Sequence, residues 1–319
     1  MKPKIASTGT GSTDGLASQL LCKINAMLFA SNHNFEYVHL PFDDSFIKGN
    51  SGHRYGDFST AFQNIVFTFP DSELINPISL NLKGVKRLCS SNVARNGTLY
   101  HGQDNYFLEP NLSIEEVHLK ILEFIDKNSD CELIILDGFS SIFTKDPANY
   151  LSISNPTQKV INPKFNFFNH NNYHKSPDEL LISFHVRRGD VDKEKYPDRY
   201  LSDEYFDAIG SQLESYLSTR MVSYKIFVHT EDEGLKLNFQ HLLVTDRNPI
   251  RSFVNLSTSD IVVGSRSAHS SVPSIVSGSL ALVPSRNWLP CLPHWIKVED
   301  SGKFNPTLLD EYLDNYLSK

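Results

Sequence analysis

The chain has 319 residues, enough for two domains that each bury a core, and its 40% hydrophobic and 21% charged residues exclude disordered and fibrous classes. A formal net charge of -7 argues against nucleic acid as the main partner, because phosphate backbones need a basic field, so any anion site must be a local cationic feature. No apolar run approaches the roughly 20 residues of a membrane span, and Met1-Lys2-Pro3-Lys4 is not followed by a secretory apolar stretch; the expectation is a cytoplasmic protein with no membrane span.

Lys4-Ile5-Ala6-Ser7-Thr8 reads as a strand entering a Gly/Ser/Thr-rich turn from Gly9 to Gly15. Apolar residues then recur at helical spacing (Leu16, Leu20, Ile24, Met27, Leu28), with Asp14 or Ser12 placed to cap the first turn. Tyr37-Val38-His39-Leu40-Pro41 reads as a second strand, which completes a strand-helix-strand unit. From Asp43 to Asn111 the chain is rich in Phe, Asn and Gly and has no period, so irregular loops and short helices are expected, with Asp43 and Asp44 as minor carboxylate candidates. Ser113 to Lys127 is amphipathic and carries capping-box spacing at Ser113 and Glu116. Leu133-Ile134-Ile135-Leu136-Asp137-Gly138 reads as a buried strand, and the unpatterned segment from Asn155 to Pro177 as a domain boundary with its hinge near Tyr173. The predicted domains are residues 1–173 and 174–304, followed by a terminal segment, 305–319.

The second half alternates more cleanly. A strand from Leu180 to Val186, a helix near Asp203 to Leu217, a strand from Tyr224 to His229 and a strand at Ile261-Val262-Val263 predict a parallel sheet. Thr307 to Leu317 is an amphipathic helix. The four cysteines, Cys22, Cys89, Cys131 and Cys291, are scattered and lack metal spacing, so they are expected to be reduced, mostly buried thiols. Asn96, Asn111 and Asn255 begin Asn-x-Ser/Thr sequons that carry little weight in a cytoplasmic protein.

The most informative stretch is Leu180-Leu181-Ile182-Ser183-Phe184-His185-Val186-Arg187-Arg188-Gly189-Asp190, a buried strand that delivers two arginines into a turn. Strand carboxyl ends are where open α/β sheets bind ligands, and the planar donor fork of arginine suits a phosphate or diphosphate. The alternative for either arginine is an ion pair with a nearby aspartate that pins the loop. A second anion-holding feature is Gly264-Ser265-Arg266-Ser267-Ala268-His269-Ser270-Ser271, hydroxyls and backbone N–H groups where a strand hands over to a helix; serines there also cap helices. Asp190-Val191-Asp192 has the spelling of a metal-binding Asp-x-Asp, but it lies inside the arginine motif, and arginine with backbone donors is the expected anion holder; no metal is expected.

His185-Val186-Arg187-Arg188-Gly189-Asp190 resembles the His-x-Arg-Arg-Gly-Asp signature of the GDP-fucose-dependent fucosyltransferase superfamily. Asp14-Gly15-Leu16-Ala17-Ser18-Gln19-Leu20 is similar to the turn that opens those proteins, and Asp260 to Ser271 to their third motif. The resemblance implies an α/β fold of GT-B type, two Rossmann-like domains with parallel sheets facing across a cleft, and a final helix that can pack back on the first domain. It implies an inverting, metal-independent transfer of fucose from GDP-fucose to a glycan hydroxyl. Arg187 matches the arginine on the β-phosphate, with Arg188, His185, Asp190, Thr230, Asp232, Ser265, Arg266, Ser267 and His269 on the donor side. Asp14 is the matching candidate for general base, with helix N-cap as its rival role, and Gly15 and Gln19 belong to the acceptor-side loop. The chain departs from the pattern at Ala17 and Ser18, where Gly and Asn are usual, and at Phe253, where one branch places a guanine-reading carboxylate. Donors with another sugar or base, and a noncatalytic nucleotide- or glycan-binding module, stay open; a P-loop does not fit, because Gly9 to Gly15 lacks the Gly-Lys-Ser/Thr ending.

Overall fold

The computed structural model describes residues 2–7, 16–40, 84–90, 105–139, 176, 178–245, 248–287, 289 and 291–317. The chain divides into two compact units, Met1–Asn166 and Phe167–Lys319, so the expected hinge at Tyr173 lies outside the described residues.

The first unit is built on strands β1 (Lys4–Ala6), β2 (Val85–Cys89), β3 (Asn105–Phe107) and β4 (Leu133–Asp137), all parallel, in the order β1-β4-β2-β3. Helix α1 (Leu16–Asn32) follows β1, and α2 (Ile114–Lys127) precedes β4. The expected apolar stripe of α1 understates its burial: Leu21, Cys22 and Ala26 are buried along with Leu20, Ile24, Met27 and Leu28, as in a helix enclosed on all sides. Gln19, Lys23 and Asn25 are therefore buried too, and Lys23 Nζ donates to the carbonyls of Ser7 (2.8 Å), just past β1, and of Leu40 (2.7 Å). Of the strand expected at Tyr37–Pro41, Tyr37 forms a parallel bridge with Ile5, flanked by Ile5 N–H to Glu36 O and Val38 N–H to Ile5 O, both 2.8 Å, and His39 is also in a bridge, while Pro41 lies outside the described residues. The capping box forms as spelled, with Ser113 Oγ accepting from Glu116 N–H and Glu116 accepting from Ser113 N–H.

The second unit carries β5 (Glu179–His185), α3 (Asp203–Thr219), β6 (Ser223–His229), β7 (Leu242–Val244), α4 (Pro249–Ser257), β8 (Ile261–Val263), α5 (Ala268–Ser277), β9 (Leu280–Pro284), β10 (Ile296–Val298) and α6 (Thr307–Leu317). Its six strands are parallel in the order β10-β9-β8-β5-β6-β7, a doubly wound sheet that reverses direction between β5 and β8. Strand β5 sits in the middle, and Leu180, Ile182 and Phe184 are fully buried because helices cover the sheet. Leu309 and Leu313 of α6 join the core of the second unit, and Tyr216 of α3 hydrogen-bonds Asp310. Asn255 is also fully buried inside α4, which removes its sequon as an acceptor in the folded chain. No helix of the described residues is long and apolar enough to cross a membrane.

Candidate functional site

The carboxyl ends of β5 and β8 are neighbours at the point where the strand order reverses, the place an open α/β sheet presents its crevice. The arginine motif leaves one of these strands and the serine turn leaves the other, and a closed set of hydrogen bonds stitches the two exits together. Ser265 Oγ donates to His185 O (2.5 Å) and accepts from Arg187 N–H (3.0 Å). Ser265 N–H donates to Ser270 Oγ (3.0 Å), which lies 2.7 Å from His185 Nδ1. Space beside the loop is tight at Gly264, where a Cβ would lie 3.1 Å from Ser270 Cβ and Ser270 would have to shift by a few tenths of an ångström. Ser265 and His185 therefore hold the Arg187 backbone in position.

The Arg187 side chain forms a fork with Asp190, Nε to Oδ1 at 3.0 Å and Nη2 to Oδ2 at 2.5 Å, made possible by Gly189, whose φ of +72° turns the chain back. Nη1 faces Ser267 Oγ at 3.5 Å, at the start of α5. Asp190 thus aims a guanidinium at a helix N-terminus, and the 22% exposure of Arg187 keeps its edge within reach of solvent. Ser267 is the N-cap of α5 and accepts from His269 N–H at 3.2 Å.

Arg188 goes the other way. Consecutive residues leaving a strand point to opposite faces, and its guanidinium pairs with Asp203 at the start of α3, donates to Arg187 O (2.9 Å) and lies 4.5 Å from the Tyr200 ring centre. It ties β5 to α3, the pinning role that the sequence left open. Arg266 is likewise occupied, donating to Asp198 O (2.8 Å) and pairing with Asp300 (3.2 Å). Thr230 Oγ1 accepts from Asp232 N–H (3.2 Å) and Asp232 Oδ1 from Gly234 N–H (2.8 Å), a local turn; between them Glu231 accepts from Arg188 N–H (3.3 Å). His269 Nε2 lies 2.6 Å from Ser252 Oγ of α4, and its ring meets those of His185 (5.2 Å) and Phe253 (5.8 Å). Phe253 is itself fully buried.

Sequence reasoning placed Ser270 in the serine turn without a role of its own, and it missed Glu231, Asp203 and Ser252; Asp203 carries a faint signal, in the acidic first turn of a helix, and Glu231 and Ser252 carry none. Asp14, Gly15, Asp43 and Asp44 lie outside the described residues, whereas Gln19 is buried in α1 with neither amide atom hydrogen-bonded. Among the described residues no group of three or more His, Cys, Asp or Glu side chains is arranged to hold a metal.

Two buried histidines, His185 and His229, and the half-buried His269 lie close enough to influence one another's charge. Burial first, then the charges of His269, Arg187 and His229, holds His185 well below its usual range. Burial and His269 lower His229 to about 3, and burial and Arg187 lower His269 to about 4. The unfolded chain takes up these protons near the ordinary value of 6.5 and the folded unit does not, so the unfolded state binds more protons in this window and stability is lost as pH falls. The urea midpoint of the second unit, followed by tryptophan fluorescence, is expected to fall steadily from pH 6.5 to pH 4. A midpoint that holds level over that range contradicts the burial of neutral imidazoles.

No protein-family model matches this sequence, and no curated protein sequence matches it. Solved structures do. POFUT1 in complex with GDP matches with a TM-score of 0.53 at 10% identity, over 87% of this chain and 95% of that chain. POFUT1 in its apo form matches with a TM-score of 0.52 at 11% identity, over 87% and 95%, and another crystal form of the GDP complex with 0.50 at 13%, over 88% and 98%. At such identities the likeness is one of fold, and the chain has the α/β, GT-B type architecture of these glycosyltransferase structures.

Proposed function

We propose that the chain is a glycosyltransferase that takes its sugar from a nucleoside diphosphate, with fucose from GDP-fucose as the donor and a glycan hydroxyl as the acceptor. The observation that carries this reading is the junction of β5 and β8, where Arg187, held by Asp190 and Ser265, faces the N-terminus of α5 at a strand-order reversal. A sugar leaving a diphosphate breaks the C1–O bond, and the departing group keeps the electron pair. A fixed guanidinium and helix-start N–H groups suit that growing charge and do so without a metal. In the inverting reaction the acceptor oxygen bonds to C1 from the opposite face, and its proton passes to a carboxylate, the part the resemblance gives to Asp14. The four cysteines are free thiols, Cys22, Cys89 and Cys131 buried, which supports work in a reducing compartment such as the cytoplasm.

A second reading has one observation in its favour. Phe253 occupies the position expected of a guanine-reading carboxylate and is sealed in the core, which supports a donor with another base or sugar. Thermal unfolding in the presence of GDP-fucose, GDP-mannose, UDP-glucose, dTDP-rhamnose and the free diphosphates separates the two. The largest upward shift is expected with GDP-fucose. A larger shift with a different nucleotide sugar moves the reading to that donor, and no shift with any diphosphate sinks both.

A further inference from the structure

His185 is the last residue of β5, and its ring makes one hydrogen bond among the described residues: Nδ1 lies 2.7 Å from Ser270 Oγ, in the first turn of α5. The proton of that contact is placed by counting donors and acceptors. A serine hydroxyl carries one hydrogen and two acceptor lone pairs. Ser270 Oγ already accepts from Ser265 N–H at 3.0 Å, and among the described residues His185 Nδ1 is its other partner. If Nδ1 donated, the hydroxyl would accept twice, and its own hydrogen would be left without an acceptor on a residue that is 1% exposed. The hydroxyl therefore donates to Nδ1.

Burial, ahead of the charges of His269, Arg187 and His229, keeps the His185 ring neutral, so it carries a single proton. With Nδ1 accepting, that proton sits on Nε2. Nε2 has no partner among the described residues, yet it is not sealed in the core.

We propose that Ser270 is a positioning residue whose hydroxyl locks His185 in the Nε2–H tautomer, presenting a fixed N–H donor at the β5 exit to an acceptor oxygen of the ligand. The resemblance sets His185 on the donor side and gives Ser270 no part. The same hydroxyl holds Ser265 N–H, and Ser265 Oγ holds Arg187 N–H, so one side chain fixes both the imidazole and the backbone that carries the guanidinium. The inference rests on the nucleotide-sugar reading for the identity of the oxygen, which belongs to the nucleoside diphosphate.

The test has two arms. Long-range proton–nitrogen correlation spectra of the full chain at pH 7.5, with the His185 ring assigned through its own backbone, are expected to show Nε2 protonated and Nδ1 bare before any ligand is added. A proton on Nδ1 overturns the proposal. Calorimetric titration with GDP then compares Ser270→Thr with Ser270→Val, which share one branched shape and any crowding beside Gly264, while only threonine keeps the hydroxyl. The valine variant is expected to bind GDP about tenfold more weakly than the threonine variant, roughly the weight of one hydrogen bond to a charged group, and to populate both tautomers. Equal affinities, or a valine variant that keeps the Nε2–H tautomer, overturn it. Should both variants misfold, the wild-type spectrum decides: the Nε2 proton signal is expected to move on addition of GDP, and an unmoved signal in the bound protein sinks the role. Wild type that binds no nucleotide removes the nucleotide-sugar reading instead, and the ligand-free spectrum still decides whether Ser270 sets the tautomer.

Discussion

Arg187→Ala is expected to lower sugar transfer, and hydrolysis of the donor in the absence of acceptor, by at least 100-fold, about the loss seen when one fixed donor to a developing anion is removed. The second unit should stay folded. The side chain is 22% exposed and its ion-pair partner Asp190 is three residues away, so this exposed pair adds at most about 1 kcal/mol to stability. Arg187→Lys keeps the charge and loses the planar fork that Asp190 aims, and should recover only part of the rate. The neighbouring substitution supplies the contrast. Arg188→Ala removes a side chain that is 10% exposed, stacked on Tyr200 and paired with Asp203, and should cost about 1–3 kcal/mol of stability. Steady-state kinetics beside urea midpoints separates the two arginines: one is expected to move the rate and spare the midpoint, the other to move the midpoint. Near-wild-type turnover by Arg187→Ala removes the proposed catalytic role.

That contrast also marks how far the sequence could be read. The run from Leu180 to Phe184 announces a buried strand because a central parallel strand is apolar on both faces, and the terminal helix is legible because its leucines keep helical spacing. Which of two adjacent arginines meets a ligand is decided by the partners that await them, Asp190 at three residues and Asp203 at fifteen, and spacing says nothing about the second. The same holds for the serines. Ser265 spans β5 and β8, 80 residues apart from His185 in the chain, so its part as a latch is a property of strand order. Strand β2 was hidden for a related reason. Val85-Lys86-Arg87-Leu88-Cys89 breaks the apolar pattern at its centre, and inside the sheet Arg87 is paired with Asp137 of β4, which arrives beside it. Strand β9, Leu280–Pro284, is an apolar run behind Gly278 and carries a signal, while β7 and β10 at three residues each are too short to have a period.

The Arg87–Asp137 pair leads to the second large effect. Arg87 Nε lies 2.5 Å from Asp137 Oδ2, the two side chains are 2% and 0% exposed, and Ser7 Oγ donates to the other carboxylate oxygen at 3.3 Å. Both side chains are closed off from solvent. Asp137→Ala leaves it charged and buried without its carboxylate, and removing one member of such a pair costs about 3–5 kcal/mol, a large share of the roughly 5–15 kcal/mol that holds a domain together. The first unit should therefore unfold at much lower urea than the second. Both tryptophans, Trp288 and Trp295, belong to the second unit, so the chain carries its own means of telling the units apart. Far-UV circular dichroism of Asp137→Ala should show an early loss of helix and sheet that tryptophan fluorescence does not follow, where wild type shows the two signals closer together. Replacing the pair together, Arg87→Met with Asp137→Leu, removes both charges and should restore most of the lost stability, because apolar groups of similar volume need no hydration. A single Asp137→Ala substitution whose dichroism midpoint stays within about 1 kcal/mol of wild type would show that Arg87 reaches water or another carboxylate, and the buried pair would no longer explain why a strand with arginine at its centre sits inside the sheet.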